Sequence, residues 1–120
     1  MAQIIIITDL DGTLLHPLTY SFEEARPALD LIKERRIPLI LCSSKTRAEI
    51  EVYRKRLENK DPFISENGGG VFIPEGCFPF PIKGTLQNGF RVITLGESYS
   101  RIRNIFREIQ KQTGITARGF

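Results

Sequence analysis

Ile4-Ile5-Ile6-Ile7-Thr8-Asp9-Leu10-Asp11-Gly12-Thr13-Leu14 is the stretch that decides the fold. Four consecutive β-branched apolar residues predict a short strand buried on both faces, as strands of a parallel sheet are. The strand stops at two carboxylates one residue apart, and Gly12 follows. In open α/β sheets, ligands bind in the crevice beyond the carboxyl ends of the strands. Residues i and i+2 of an extended segment share a side, so Asp9 and Asp11 face one pocket. Two like charges buried there repel by on the order of a few kcal/mol unless a cation or proton sits between them. The pair therefore asks for a metal, and a carboxylate so placed can also attack an electrophile. Gly12 allows a sharp turn and lets backbone N–H groups come close to an anion. A plain polar turn is the bland alternative, because Asp-Gly is common in turns. It leaves unexplained why two acids cap an all-aliphatic strand.

Working outward, Ile37-Pro38-Leu39-Ile40-Leu41-Cys42 predicts a second apolar strand, ending in Ser43-Ser44-Lys45-Thr46. A small hydroxyl residue at a strand end, just before a helix, makes a natural phosphate seat. The hydroxyl donates, and the helix start presents free N–H groups and partial positive charge. Thr46 and Glu49 have capping-box spacing, so the helix is expected to begin there. Capping alone is the alternative role for Ser43 and Ser44; the acidic pair upstream favours Ser43 as the phosphate ligand.

Asp9-Leu10-Asp11-Gly12-Thr13-Leu14-Leu15 resembles the first motif of the haloacid dehalogenase superfamily, and Ser43 matches its second. The resemblance implies that Asp9 is a nucleophile forming an aspartyl phosphate, and that Asp11 is the general acid and base. It also implies that Mg²⁺ bridges nucleophile and phosphate, with Asp9 and Asp11 as metal-site residues. Carboxylates suit each role: covalent catalysis, proton transfer and oxygen ligation of a hard cation. Leu41 to Glu49, followed by Pro62-Phe63-Ile64-Ser65-Glu66-Asn67-Gly68-Gly69, is similar to the mannosyl-3-phosphoglycerate phosphatase branch. That likeness implies hydrolysis of a small phosphorylated sugar acid, mannosyl-3-phosphoglycerate, to mannosylglycerate and phosphate. It assigns substrate or phosphate contacts to Gly12, Ser43, Ser44, Lys45, Thr46 and Asn67. A solvated helix start explains Arg47 equally well, and a turn tolerant of positive φ explains Gly68 to Gly70.

The chain departs from the family in one respect. The aspartates are Asp9, Asp11, Asp30 and Asp61 alone, and there is no Gly-Asp dipeptide. The family's late Lys and late Gly-Asp-x-x-x-Asp motif have no counterpart, and Lys83 and Lys111 fall where the family builds its cap. The expectation is the N-terminal part of such an enzyme: a fragment, a truncated reading frame or half of a split protein. On its own it would be a catalytically incomplete fragment or partner subunit with little activity. His16 stands where many relatives carry an acid, and an exposed loop His is the expected account.

The 120 residues leave room for one domain, or one plus part of another. A net charge of +3 suits an anionic phosphate ester, but falls short of the clustered charge of a nucleic-acid binder. Two cysteines, one in a predicted strand, are too few for a disulfide scaffold and suggest a reduced, cytoplasmic setting. No apolar run approaches a membrane span, and Asp9 and Asp11 interrupt any signal-peptide pattern. Neither nucleic acid nor membrane is an expected partner.

Periodicity supplies the remaining elements. Ser21 and Glu24 have capping-box spacing, and Phe22, Ala25, Leu29 and Ile32 share a helical face to about Arg35. Pro27 predicts a kink or a later true start. A helix over about Arg47–Leu57 buries Ile50, Tyr53 and Leu57. The order strand-helix-strand-helix-strand over residues 3–66 predicts right-handed parallel crossovers. The fold class is therefore α/β: a three-layer Rossmann-like parallel sheet, an incomplete core, with the beginning of an α/β cap domain. Val71-Phe72-Ile73 is extended, and the Pro/Gly-rich 74–84 reads as a linker. Phe90 to Leu95 predicts a half-buried strand, and Ser98 to Thr113 an amphipathic helix stopped at Gly114. The division is 1–82 as the N-terminal part of the core and 83–120 as the start of the cap. Uncovered apolar surface and an open sheet edge predict self-association, or a complementing C-terminal part as partner.

Overall fold

The computed structural model describes residues 4–118. Strands β1 (Ile6–Thr8), β2 (Leu39–Cys42), β3 (Phe63–Ser65), β4 (Gly70–Pro74), β5 (Thr85–Gln87) and β6 (Phe90–Thr94) form one sheet, ordered β1-β2-β3-β4-β6-β5. The first three are parallel and the rest antiparallel. Helices α1 (Arg26–Glu34) and α2 (Arg47–Arg56) make the crossovers, and α3 (Tyr99–Thr113) follows β6.

The α/β class and the parallel β1-β2-β3 order agree with the sequence. Register explains where the core sits. Leu41, Phe63, Phe72 and Val92 are successive cross-strand partners, so one lateral row of apolar side chains runs across four strands. All four are buried, and Ile50, Tyr53 and Leu57 of the α2 segment, with Leu29 and Ile32 of α1, pack against the same cluster. Both described crossover helices thus cover one face.

The opposite face carries another apolar row, in which Cys42, Ile64, Val71 and Ile93 are successive partners and Ile7 pairs with Ile40. Ile7 is 63% exposed and Ile5 62%. The aliphatic run forms the expected strand, but not one buried on both faces: one face of β1 is open, because residues 4–118 supply no layer against it. The exposed apolar side of α3, including Ile102, Ile105 and Ile109, has the same character.

Pro27 settles in the first turn of α1, where its missing N–H costs nothing, and a 3-10 turn over Glu23–Ala25 precedes it. The helix therefore starts late and is not kinked. β5 is an element the periodicity does not reveal. It forms a hairpin with β6 through Asn88 (φ 49°) and Gly89 (φ 80°), the left-handed pair that a two-residue hairpin turn prefers. Because β6 pairs with β4 along its whole length, the sheet runs without a break past the expected boundary at 82/83.

Candidate active site

β1 and β2 end level with one another, since Thr8 pairs with Leu41. Asp9 and Ser43 lie just beyond these ends, on the carboxyl edge of the parallel strands. Leu10 and Leu15 are fully buried, at 0% and 1% exposure, and anchor the loop between them. With Leu10 inward, the flanking Asp9 and Asp11 are left exposed, as alternation along an extended chain requires. The loop closes on itself: Leu15 N–H and Thr13 N–H donate to the Leu10 carbonyl at 2.8 and 3.2 Å, and Gly12 N–H donates to Leu15 at 3.0 Å. Gly12 adopts φ 74°, so the turn needs its freedom. Its N–H is already used inside the loop, which makes its contribution conformational and not the anion contact expected from the sequence.

Asp9 Oδ1 accepts the Leu10 N–H at 2.8 Å, which fixes the carboxylate at the strand end. Lys45 Nζ reaches Asp11 Oδ2 at 3.2 Å. The ammonium stands 5.6 Å from the Tyr20 ring centroid and 5.8 Å from that of Tyr53, within cation–π range of both. Burial alone would lower the Lys45 pKa. The hydrogen bond and charge of Asp11, helped by Tyr53 and Glu49, outweigh it and leave the group above its ordinary value. The resulting stabilisation is complete below the unfolded pKa of about 10.4 and is lost as pH rises through the folded one.

Ser43 is 3% exposed. Its Oγ accepts the Lys45 N–H at 3.2 Å, leaving the hydroxyl proton for another acceptor. The turn after β3 is tied to this loop, with Asn67 N–H on the Ser43 carbonyl at 3.0 Å and Glu66 N–H on the Lys45 carbonyl at 3.1 Å. Asn67, left-handed at φ 54°, thus braces the seat through its backbone. The capping box forms as read: Thr46 N–H and Oγ1 both donate to Glu49 Oε2, at 2.9 and 2.8 Å. The Thr46 hydroxyl is occupied as a cap, and Ser44 is exposed beside it. Arg47 turns away, its guanidinium 5.0 Å from the Phe72 centroid and 5.3 Å from that of Phe90. His16 is half-buried, and its Nδ1 accepts the N–H groups of Leu18 and Thr19 at 3.2 and 3.3 Å, shaping the loop that carries Tyr20.

Tyr20 is the contributor that sequence reading missed, since no spacing signal links it to Lys45. Asp9 and Asp11 offer hard oxygen donors suited to a divalent cation such as Mg²⁺. Among the described residues, no group of three or more acidic, His or Cys side chains converges to complete such a site. No described helix is long and apolar enough to cross a membrane.

A family model described as haloacid dehalogenase-like hydrolase matches residues 6–76, a span that includes Asp9, Asp11, Ser43, Lys45 and Asn67. The chain is 56% identical over 117 residues to the glucosyl-3-phosphoglycerate/mannosyl-3-phosphoglycerate phosphatase of Methanococcoides burtonii, covering 97% of this chain and 43% of that protein. It is 41% identical over 111 residues to the mannosyl-3-phosphoglycerate phosphatase of Pyrococcus horikoshii, covering 92% and 45%. The chain thus spans less than half the length of these curated relatives. A hypothetical protein from Geobacillus kaustophilus shares the fold with TM-score 0.64 at 21% identity, over 94% of this chain and 38% of that one. A haloacid dehalogenase-like hydrolase from Bacillus subtilis does so with TM-score 0.59 at 22% identity, over 90% and 33%.

Proposed function

The chain belongs to the haloacid dehalogenase-like hydrolase family, and from that premise we propose that it carries the nucleophile-bearing part of a phosphomonoesterase for a phosphorylated sugar acid. The relatives' names support a 3-phosphoglycerate bearing mannose or glucose as the substrate class. One observation carries the proposal: the two carboxylates just beyond β1 and the hydroxyl of Ser43 share one sheet edge, with Lys45 bound to Asp11.

In the proposed reaction an Asp9 oxygen attacks phosphorus and the bond to the sugar-acid oxygen breaks. Asp11 takes up a proton as Lys45 turns from it to the incoming phosphoryl group, and gives that proton to the departing alkoxide. It then takes a proton from the water that attacks the acyl phosphate, releasing phosphate and restoring Asp9. Ser43 donates to a phosphoryl oxygen, and Lys45 adds positive charge beside it; such fixed electrostatics dominate phosphoryl transfer. Asp9 and Asp11 would hold Mg²⁺ as two of its ligands, and the ion would neutralise charge on the transferring group.

Turnover needs further residues, because the donor set is partial and the far sheet face is uncovered. In this reading 1–82 belongs to the catalytic core and 83–120 opens the substrate-selecting cap. The chain alone is then a poor catalyst, prone to self-association or paired with a complementing C-terminal part. Phosphate release from mannosyl- and glucosyl-3-phosphoglycerate with Mg²⁺ should be measured for the chain alone and mixed with the C-terminal remainder of the Methanococcoides relative. Activity is expected in the mixture and lost with Asp9→Asn. Full activity of that variant would remove Asp9 from the nucleophile role.

A further inference from the structure

A cleft of about 990 Å³ lies at the other end of the sheet from Asp9 and Ser43. It opens where α1 and α2 end and β2 begins, between Ile32, Pro38 and Leu57. Seven basic side chains line it against three acidic ones. The whole chain carries a formal charge of only +3, so this one cleft holds more than the entire positive excess.

Ordinary structural demands consume only part of that charge. The C-termini of α1 and α2 each contribute roughly half a negative charge, about one in total. Of the three acids, Glu58 is paired with Lys33. Asp61 accepts the Leu39 N–H at 2.9 Å. Arg26 finds its partner outside the lining, in Glu23 at 2.7 Å. Arg54 is the second, independent observation. It is 9% exposed, its Nη2 donates to the Asp61 backbone carbonyl at 2.8 Å, and its buried Nε has no partner among the described residues. Burial lowers its pKa, with Glu51 and Asp61 opposing only in part. Stacking over Phe63 and Phe90, at 4.8 and 5.3 Å, offsets part of the cost of burying this guanidinium, but no carboxylate pairs with it, and an anion in the cleft would offset more.

We propose that this cleft is a second anion site, distinct from the carboxylate edge, which takes a small molecule bearing several phosphate charges. Its volume falls at the upper end of small-molecule pockets and exceeds what inorganic phosphate needs. The apolar floor and basic rim suit a ligand with an organic body and a polyanionic end.

Inorganic pyrophosphate, titrated without divalent cations into the full isotope-labelled chain and followed by amide NMR, is the probe. Saturable shifts are expected around Arg36 and Lys55 to Asp61, weakening as salt rises from about 50 to about 300 mM and the Debye length falls below about 10 Å. Arg36→Glu and Lys55→Glu, both at exposed positions, should each weaken binding there by about threefold or more, as loss of one partly screened charge pair implies. Ser43→Ala should leave those shifts unchanged. Shifts confined to residues 9–12 and 43–46, or cleft shifts indifferent to both charge reversals, would overturn the proposal.

Discussion

Phe63→Leu should loosen the molecule far more than its modest change in volume suggests. Phe63 is 0% exposed, stacked on Phe72 at 4.7 Å with planes 7° apart, and meets Phe90 edge-on at 5.6 Å. The Arg54 guanidinium lies 4.8 Å from its centroid. Each aromatic pair contributes about 0.5–1.5 kcal/mol beyond buried area, and the cation contact about 0.5–2 kcal/mol. Leucine keeps much of the apolar bulk and loses all three, so the expected loss is about 1.5–5 kcal/mol. Against a typical stability of about 5–15 kcal/mol this is severe, and it should lower Tm by on the order of 10 °C. Urea unfolding followed by far-UV circular dichroism reads the change at constant slope. A double-mutant cycle with Arg54→Met should then return a coupling near 1 kcal/mol. The site should feel the change too, because β3 leads into the turn that braces Ser43 and Lys45. A loss under about 0.5 kcal/mol, below what even one aromatic pair should supply, would show that the ring geometry adds nothing.

Thr46→Ala removes the capping hydroxyl of α2 and should cost about 1 kcal/mol, measured by the same unfolding curve; an unchanged midpoint would count against the cap. Glu49 sits below the ordinary carboxylate range, chiefly because of its backbone hydrogen bond to Thr46 and then the Thr46 hydroxyl. A depressed folded pKa gives stability that is present above the unfolded value of about 4.3 and lost as pH falls through the folded one. Glu49→Gln should therefore flatten the stability–pH curve below about pH 5, and an unaltered acid limb would contradict this. Gly84→Ala would place Cβ 2.8 Å from the Val92 carbonyl oxygen, so the β5–β6 hairpin should shift or fray. Faster amide exchange at Leu86 and Val92 would report it, and native protection would refute it.

The carboxylate edge was legible in the sequence because its signals are local. An aliphatic run stopping at Asp9, a capping box at Thr46–Glu49 and a hydroxyl at a strand end each need only a few neighbouring residues. Helix α3 was equally readable, from Ser98 at its cap to left-handed Gly114 at its end. What sequence reading missed depends on distant partners. Tyr20 meets Lys45 only because His16 folds the intervening loop, and Gly12 spends its N–H on Leu15 only once that loop closes. The Asn88-Gly89 pair is itself a local hairpin signal, but Pro74, Pro79 and Pro81 ahead of it favour a linker over a strand. The buried state of Arg54 on α2 had no local sign at all, since it depends on Phe63 and Phe90 arriving from two separate strands.

Lys45 gives the acidic loop an internal counter-ion. Any divalent ion that later binds Asp11 must exchange with a tethered ammonium already in place. Occupancy would then be set by that contest, and a neutral side chain at position 45 would tilt it toward the metal.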